Sequence, residues 1–220
     1  MIRPGSATAS RLANGPGRAS VSLLHEYDSA IARAQEPAAR LWRERMGWPR
    51  RAATMGLGGG VQRILPHADG LYTPCDDGSV AAIIIPVWSG AAPGSPDDLV
   101  DLAAWVPTSG NIYTRRGLPD VLGEWSISLA EPCMGVARPL AVFADPGAWA
   151  RTATWDDQGG HGIVFIDWSR ARSILGHLIG VVDFVCDSII TGQRLRAALA
   201  PPPTRKARIL VHQDAQRGAA

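Results

Sequence analysis

From residue 139 to 199 the chain alternates three short apolar runs with three stretches of helical character, and that alternation is what most restricts its fold. The runs are 140–144, 162–166 and 180–186, and the helical stretches are 146–153, 169–178 and 189–199. Strands alternating with helices of this length imply right-handed crossovers and a parallel sheet. The spacing therefore predicts a small three-strand parallel α/β unit over 139–200. The run 162–166 is its most buried strand, with the other two as neighbours.

The preceding region has a different grammar. Leu23, Leu24, Tyr27, Ile31 and Ala34 recur at helical spacing, and a second helix starts at Pro37 and carries Leu41, Trp42 and Met46 on one face. Gly47-Trp48-Pro49 ends it, and a short third helix is predicted over 50–55. Short apolar runs at 61–65, 70–72, 80–87 and 99–106, separated by Asp-Gly, Pro-Gly and Ser-Pro punctuation, read as strands of a mostly antiparallel sheet. Residues 107–138 read as irregular, apart from a helical turn at 118–122. The fold class is thus α+β, with N-terminal helices and a mixed or antiparallel sheet over 20–138 ahead of the α/β unit. Residues 1–19 and 201–220, rich in Gly, Pro, Ser, Ala and Arg, read as disordered tails.

Charge is unevenly spread. Residues 1–63 hold ten Arg and four acids, 64–187 hold six Arg and fifteen acids, and 188–220 hold six bases and one acid. Basic ends around an acidic middle suit contact with nucleic acid or a protein partner, and nearly every base is Arg, the better bidentate phosphate ligand. The longest apolar runs are far short of the ~20 residues that span a bilayer, and the N-terminus lacks the apolar core of a signal peptide, so a cytoplasmic protein without membrane attachment is expected. Three widely spaced cysteines, Cys75, Cys133 and Cys186, give neither a disulfide framework nor a zinc knuckle.

Two constellations carry chemistry. Asp145, Asp167 and Asp187 each follow a predicted strand, so a parallel sheet gathers them along its carboxyl edge, where three carboxylates could hold Mg against a phosphate. Capping of the following helices is the favoured account of all three. Tyr113, Arg115, Arg116 and Trp125 place aromatic rings beside a guanidinium pair, the composition of a surface that stacks bases and binds phosphate, although a solvated Arg pair on a loop with its neighbouring rings in the core is the favoured account. Other motifs fall short. The glycine run at 56–60 lacks the Gly-Lys-Ser/Thr of a phosphate loop and reads as a flexible connector or helix cap. The one plausible downstream base for Cys133 is His161, and His67, Asp69, Cys75 and Asp76 match no metal spacing.

The segments 39–42, 46–49, 69–74, 85–87, 99–102 and 162–168 together resemble a group of proteins from prophage and plasmid-like regions of alphaproteobacterial genomes. The resemblance implies a mobile-element replication or packaging setting and supplies no activity or catalytic residue. The layout of a mixed sheet followed by a small α/β unit is also similar to primase-type proteins with a Toprim domain. That family's Glu-Gly and Asp-x-Asp are missing, since this chain offers Asp167-Trp168 and isolated Asp183 and Asp187, which implies a degenerate, Toprim-like unit without activity. The leading expectation is a non-enzymatic accessory protein, without a cofactor, contacting nucleic acid or a replication protein. The alternative is a Mg-dependent phosphoryl-transfer or nuclease-like enzyme built on Asp145, Asp167 and Asp187.

Overall fold

The computed structural model describes residues 22–52, 56–89, 98–130, 138–155, 162–174, 176–200 and 208–211. Residues 1–19, most of 201–220, Cys133 and His161 lie outside them. The fold is α+β. Helices α1 (Leu23–Arg33) and α2 (Pro37–Arg45) and a 3₁₀ turn (Arg50–Ala52) lead into β1 (Gly60–Pro66), β2 (Tyr72–Pro74), β3 (Val80–Trp88), β4 (Leu99–Val106) and β5 (Asn111–Thr114). There follow β6 (Val121–Leu122), α3 (Trp125–Ala130), β7 (Leu140–Phe143), α4 (Pro146–Trp155), β8 (Gly162–Phe165), 3₁₀ segments Trp168–Ile174 and His177–Gly180, β9 (Asp183–Cys186), α5 (Ile189–Leu199) and β10 (Arg208–Val211). No helix among the described residues is long and apolar enough to cross a membrane.

The first sheet runs β2-β1-β3-β4-β5, all antiparallel. Side chains alternate across its central strands. Ala82, Ile84, Leu102, Ala104 and Val106 face a core shared with Leu23 and Ala30 of α1. Ile83, Ile85, Val87, Ala103 and Trp105 face Phe143, Trp149 and Val164 of the second half. Cover on both faces explains why these strands read as continuous apolar runs. The sheet also curls until its edges touch: Leu71 bridges to Thr114, and the Thr114 N–H donates to the Gly70 carbonyl at 3.0 Å. That contact leaves less unpaired strand edge open to another chain.

Glu26 staples this seam. It lies on the buried face of α1, accepting from the Tyr72 hydroxyl of β2 and from Arg115 Nε just past β5, both at 2.9 Å. Burial, reinforced by the Glu26 charge, raises the Tyr72 phenol well above its ordinary pKa. A second buried carboxylate, Asp101, interrupts the apolar face of β4. It accepts from the Leu102, Arg116 and Leu118 amides at 2.7, 3.0 and 3.1 Å, fixing the turn after β5, and burial raises its pKa against the pull of those N–H donors. Asp101→Ala, which leaves these amides without their acceptor, is expected to lower stability by about 3 kcal/mol, read as a shift in urea midpoint.

Of the two readings of the glycine run at 56–60, a flexible connector or a helix cap, the structure favours the cap at its start, where Gly56 has φ +72° and the Leu57 N–H donates to the Ala52 carbonyl at 2.9 Å, and 57–60 continue as a buried strap. Trp88 Nε1 donates to the Gly56 carbonyl at 3.1 Å, Trp48 Nε1 to Gly58 at 3.3 Å and Arg43 Nη1 to Gly59 at 2.9 Å. The Gly59 N–H donates to Ile84 at 2.9 Å. Glycine is required because chain and indole run too close for a side chain between them.

The second sheet runs β10-β9-β7-β8-β6, with β10, β9, β7 and β8 parallel and β6 antiparallel on β8. It corrects the three-strand expectation in two ways. The central strand is β7, flanked by β8 and β9, whereas 162–166 sits between β7 and β6. Buried apolar runs of equal length carry no information on strand order, which the crossovers decide. The sheet also recruits β6 from the N-terminal region and β10 from the stretch expected as a tail, two- and four-residue pairings with little periodicity of their own. The expected helix 169–178 is two 3₁₀ segments on either side of Gly176; of the expected helix 50–55, residues 50–52 form a 3₁₀ turn and 53–55 lie outside the described residues. The expected irregular stretch 107–138 contains β5, β6 and α3. Leu195 of α5, Ile127 of α3 and Ile174 and Leu178 of the 3₁₀ segments close the sheet's other face.

Candidate functional site

The chain leaves β7 through α4 to β8, then returns past β7 to β9, so the strand order reverses between β7 and β9. Open α/β sheets bind ligands at the carboxyl ends of their strands near such a reversal. Asp145, Asp167 and Asp187 do stand at that edge, after β7, β8 and β9. Asp145 and Asp167 are engaged by their own following turns, and Asp187 by the loop after β7. Asp145 Oδ1 accepts from the Ala148 N–H at 2.9 Å in the first turn of α4. Asp167 accepts from the Ser169 amide and hydroxyl, both at 2.8 Å. Asp187 Oδ2 accepts from the Ala144 N–H at 2.7 Å, tying the loops on either side of the reversal, and leaves Oδ1 buried without a partner. The cap of α5 is instead Ser188, which accepts from the Thr191 N–H at 3.1 Å. Among the described residues, no three His, Cys, Asp or Glu side chains are grouped so as to hold a metal ion.

The four residues singled out as a stacking and phosphate surface are dispersed. Arg115 turns inward to Glu26, with side-chain exposures of 14% and 2%. Arg116 is exposed and is anchored only through its backbone N–H to Asp101. Trp125 opens α3 and packs against the core between the sheets, whereas Tyr113 packs on the α1 side of the first sheet. An adjacent Arg-Arg pair does not reveal that one member has a partner 89 residues earlier.

Tyr113 does line a depression, with different companions. The seam of the first sheet sets the 67–70 turn and β5 opposite the carboxyl ends of β7 and β8. Between them lies a depression of about 450 Å³, lined by His67, Asn111, Tyr113, Ala144, Phe165, Trp168 and Arg194 among others. A second depression of about 650 Å³ shares Ile166, Trp168 and Arg194 and adds Ser169, Ala197 and Ala198. Trp168 is stacked on Phe165, ring centroids 4.2 Å apart and planes tilted by 31°. Asn111 Nδ2 donates to the Tyr113 hydroxyl at 3.2 Å, and His67 Nε2 lies 2.8 Å from Thr73 Oγ1. Arg194, exposed on α5, makes no ion pair with a described residue. Sequence reasoning passed over Trp168 and Arg194. The one available signal was an aromatic pair three residues apart at the end of a strand.

A second feature is basic. Arg40, Arg43, Arg45, Arg50 and Arg51 lie within twelve residues that contain one acid, Glu44. Arg43 is buried on the glycine strap, and burial, with the neighbouring Arg50 and Arg40 charges, lowers its pKa. The other four are exposed. Arg50 grips Glu44 through Nε at 2.6 Å and Nη2 at 3.1 Å, and this hydrogen-bonded pair lowers the Glu44 pKa. Arg40 and Arg45 make no ion pair with a described residue. With Glu44 matched by Arg50, Arg40 and Arg45 add exposed positive charge to this segment.

Compared with family models, curated proteins and solved structures, the chain shows no match, and the resemblances carried by its short motifs rest on those motifs alone.

Proposed function

We propose that the protein is a non-enzymatic accessory protein that contacts nucleic acid through the arginine surface of α2 and the turn after it. The observation that carries this reading is the pair of exposed guanidinium groups of Arg40 and Arg45, without an ion pair among the described residues, near Arg50 and Arg51 in the sequence with one acid among them. Phosphate backbones reward such a surface by counterion release, and the acidic middle of the chain confines the contact to it. The mobile-element replication setting implied by the sequence resemblance is part of the same proposal.

The test is fluorescence anisotropy with a labelled DNA duplex at several salt concentrations. The Arg40→Ala/Arg45→Ala double variant is expected to bind more weakly and to lower the slope of log affinity against log salt by about two, one for each phosphate contact removed. Both side chains are exposed, so circular dichroism and the urea midpoint should match those of the parent. Unchanged affinity and slope would refute the proposal.

A further inference from the structure

We infer that the furrow along the carboxyl edge of the second sheet seats unpaired nucleotides of a single strand, with a base against Trp168 and a phosphate on Arg194. The inference rests on the preceding proposal that nucleic acid is the ligand and adds a site where a single strand is told from a duplex.

Three observations carry it. The two depressions share Ile166, Trp168 and Arg194, which puts an aromatic ring and a cation at the waist between them. Each depression lies within the ordinary range of ligand sites, about 300–1,000 Å³. Trp168 is already held against Phe165, so little side-chain freedom is lost when a base stacks on it. The charge also fits. Arg194 has no counter-ion among the described residues, and the one carboxylate among the described lining residues, Asp167, has both oxygens engaged by Ser169. Beyond the waist, His67, Asn111 and Tyr113 supply hydrogen-bonding groups in a wall that is otherwise apolar or backbone. A half-buried ring, packed on the core at one side, and a guanidinium without an ion pair among the described residues match a base and its phosphate, and every unpaired base presents a face that can stack.

The test compares the anisotropy of labelled oligothymidylates of increasing length with that of a duplex, using unlabelled thymidine monophosphate as competitor. The full chain, Trp168→Ala, Arg194→Gln and the Arg40→Ala/Arg45→Ala variant are measured side by side. The parent is expected to bind longer single strands more tightly than the monophosphate. Trp168→Ala should lose about ten- to a hundred-fold in single-strand affinity, and Arg194→Gln should lose several-fold with a shallower salt dependence. Both should keep the parent's duplex affinity, which also reports an intact fold, and Arg194→Gln alters only an exposed side chain. Single-strand affinity unchanged in both variants, or a monophosphate that binds as tightly as the oligonucleotide, would overturn the inference while duplex binding still supported the arginine surface. If neither polymer bound the parent, both proposals would fall together.

Discussion

Gly59→Ala is expected to destabilise the protein by about 2–5 kcal/mol, whereas Gly70→Ala, also at positive φ, should cost only ~1–2 kcal/mol. Gly59 has φ +105° and Gly70 φ +80°, so alanine at either position incurs the backbone penalty of a left-handed conformation, ~1–2 kcal/mol. The difference lies in the surroundings. A Cβ on Gly70 meets nothing within 4 Å. A Cβ on Gly59 would lie against the Trp48 indole, which is itself buried and donates to the Gly58 carbonyl. Overpacking a rigid site of this kind adds ~1–3 kcal/mol. Parallel urea titrations read the contrast directly, and equal midpoints would mean that the strap has room to move.

That strap marks the limit of what the residues disclosed. The long apolar runs at 80–87 and 99–106, the proline at the start of α2 and the alternation after residue 139 each follow from local physics, and they gave β3, β4, α2, β7, α4, β8, β9 and α5, though not the 3₁₀ form of 168–174 and 177–180. The course of the glycine run was not legible, because its conformation is imposed by donors from α2, from Trp48 and from β3. Strand order was hidden for a similar reason: β7 and β8 are both four-residue apolar runs, and only the crossovers put β7 in the centre. For the site, the position of the three aspartates at the sheet edge was legible, and Tyr113 was singled out, though beside Arg115, Arg116 and Trp125, which do not line the depression that Tyr113 lines. Its companions there were not legible. The furrow is assembled from the 67–70 turn, β5, the end of β8 and α5, which meet only after the first sheet has closed its seam. The arginine excess at 40–51 was visible as part of a basic N-terminal third, but which of its guanidiniums point outward depends on Arg43 being drawn in to the strap.

Arg115→Ala is expected to cost about 3–5 kcal/mol, and Arg116→Ala less than about 0.5 kcal/mol, although the two residues are adjacent and identical. Removing the Arg115 guanidinium leaves Glu26 as a buried carboxylate that keeps the Tyr72 hydroxyl and loses its counter-charge. The loss falls on the seam, because Tyr72 and Arg115 lie on or beside the two edge strands that Glu26 holds to α1. The Arg116 side chain is exposed, and its anchor to Asp101 is a backbone N–H that alanine retains. Urea midpoints of the two variants check this, and equal midpoints would show that the Glu26 pair does not hold the sheet closed. Replacing both charges, as Glu26→Leu with Arg115→Met, should recover much of the loss, since burying neither ion avoids the stranded charge. Weakened nucleic-acid binding by Arg115→Ala would therefore report a loosened sheet, which is why the interface is tested at Arg40, Arg45, Trp168 and Arg194.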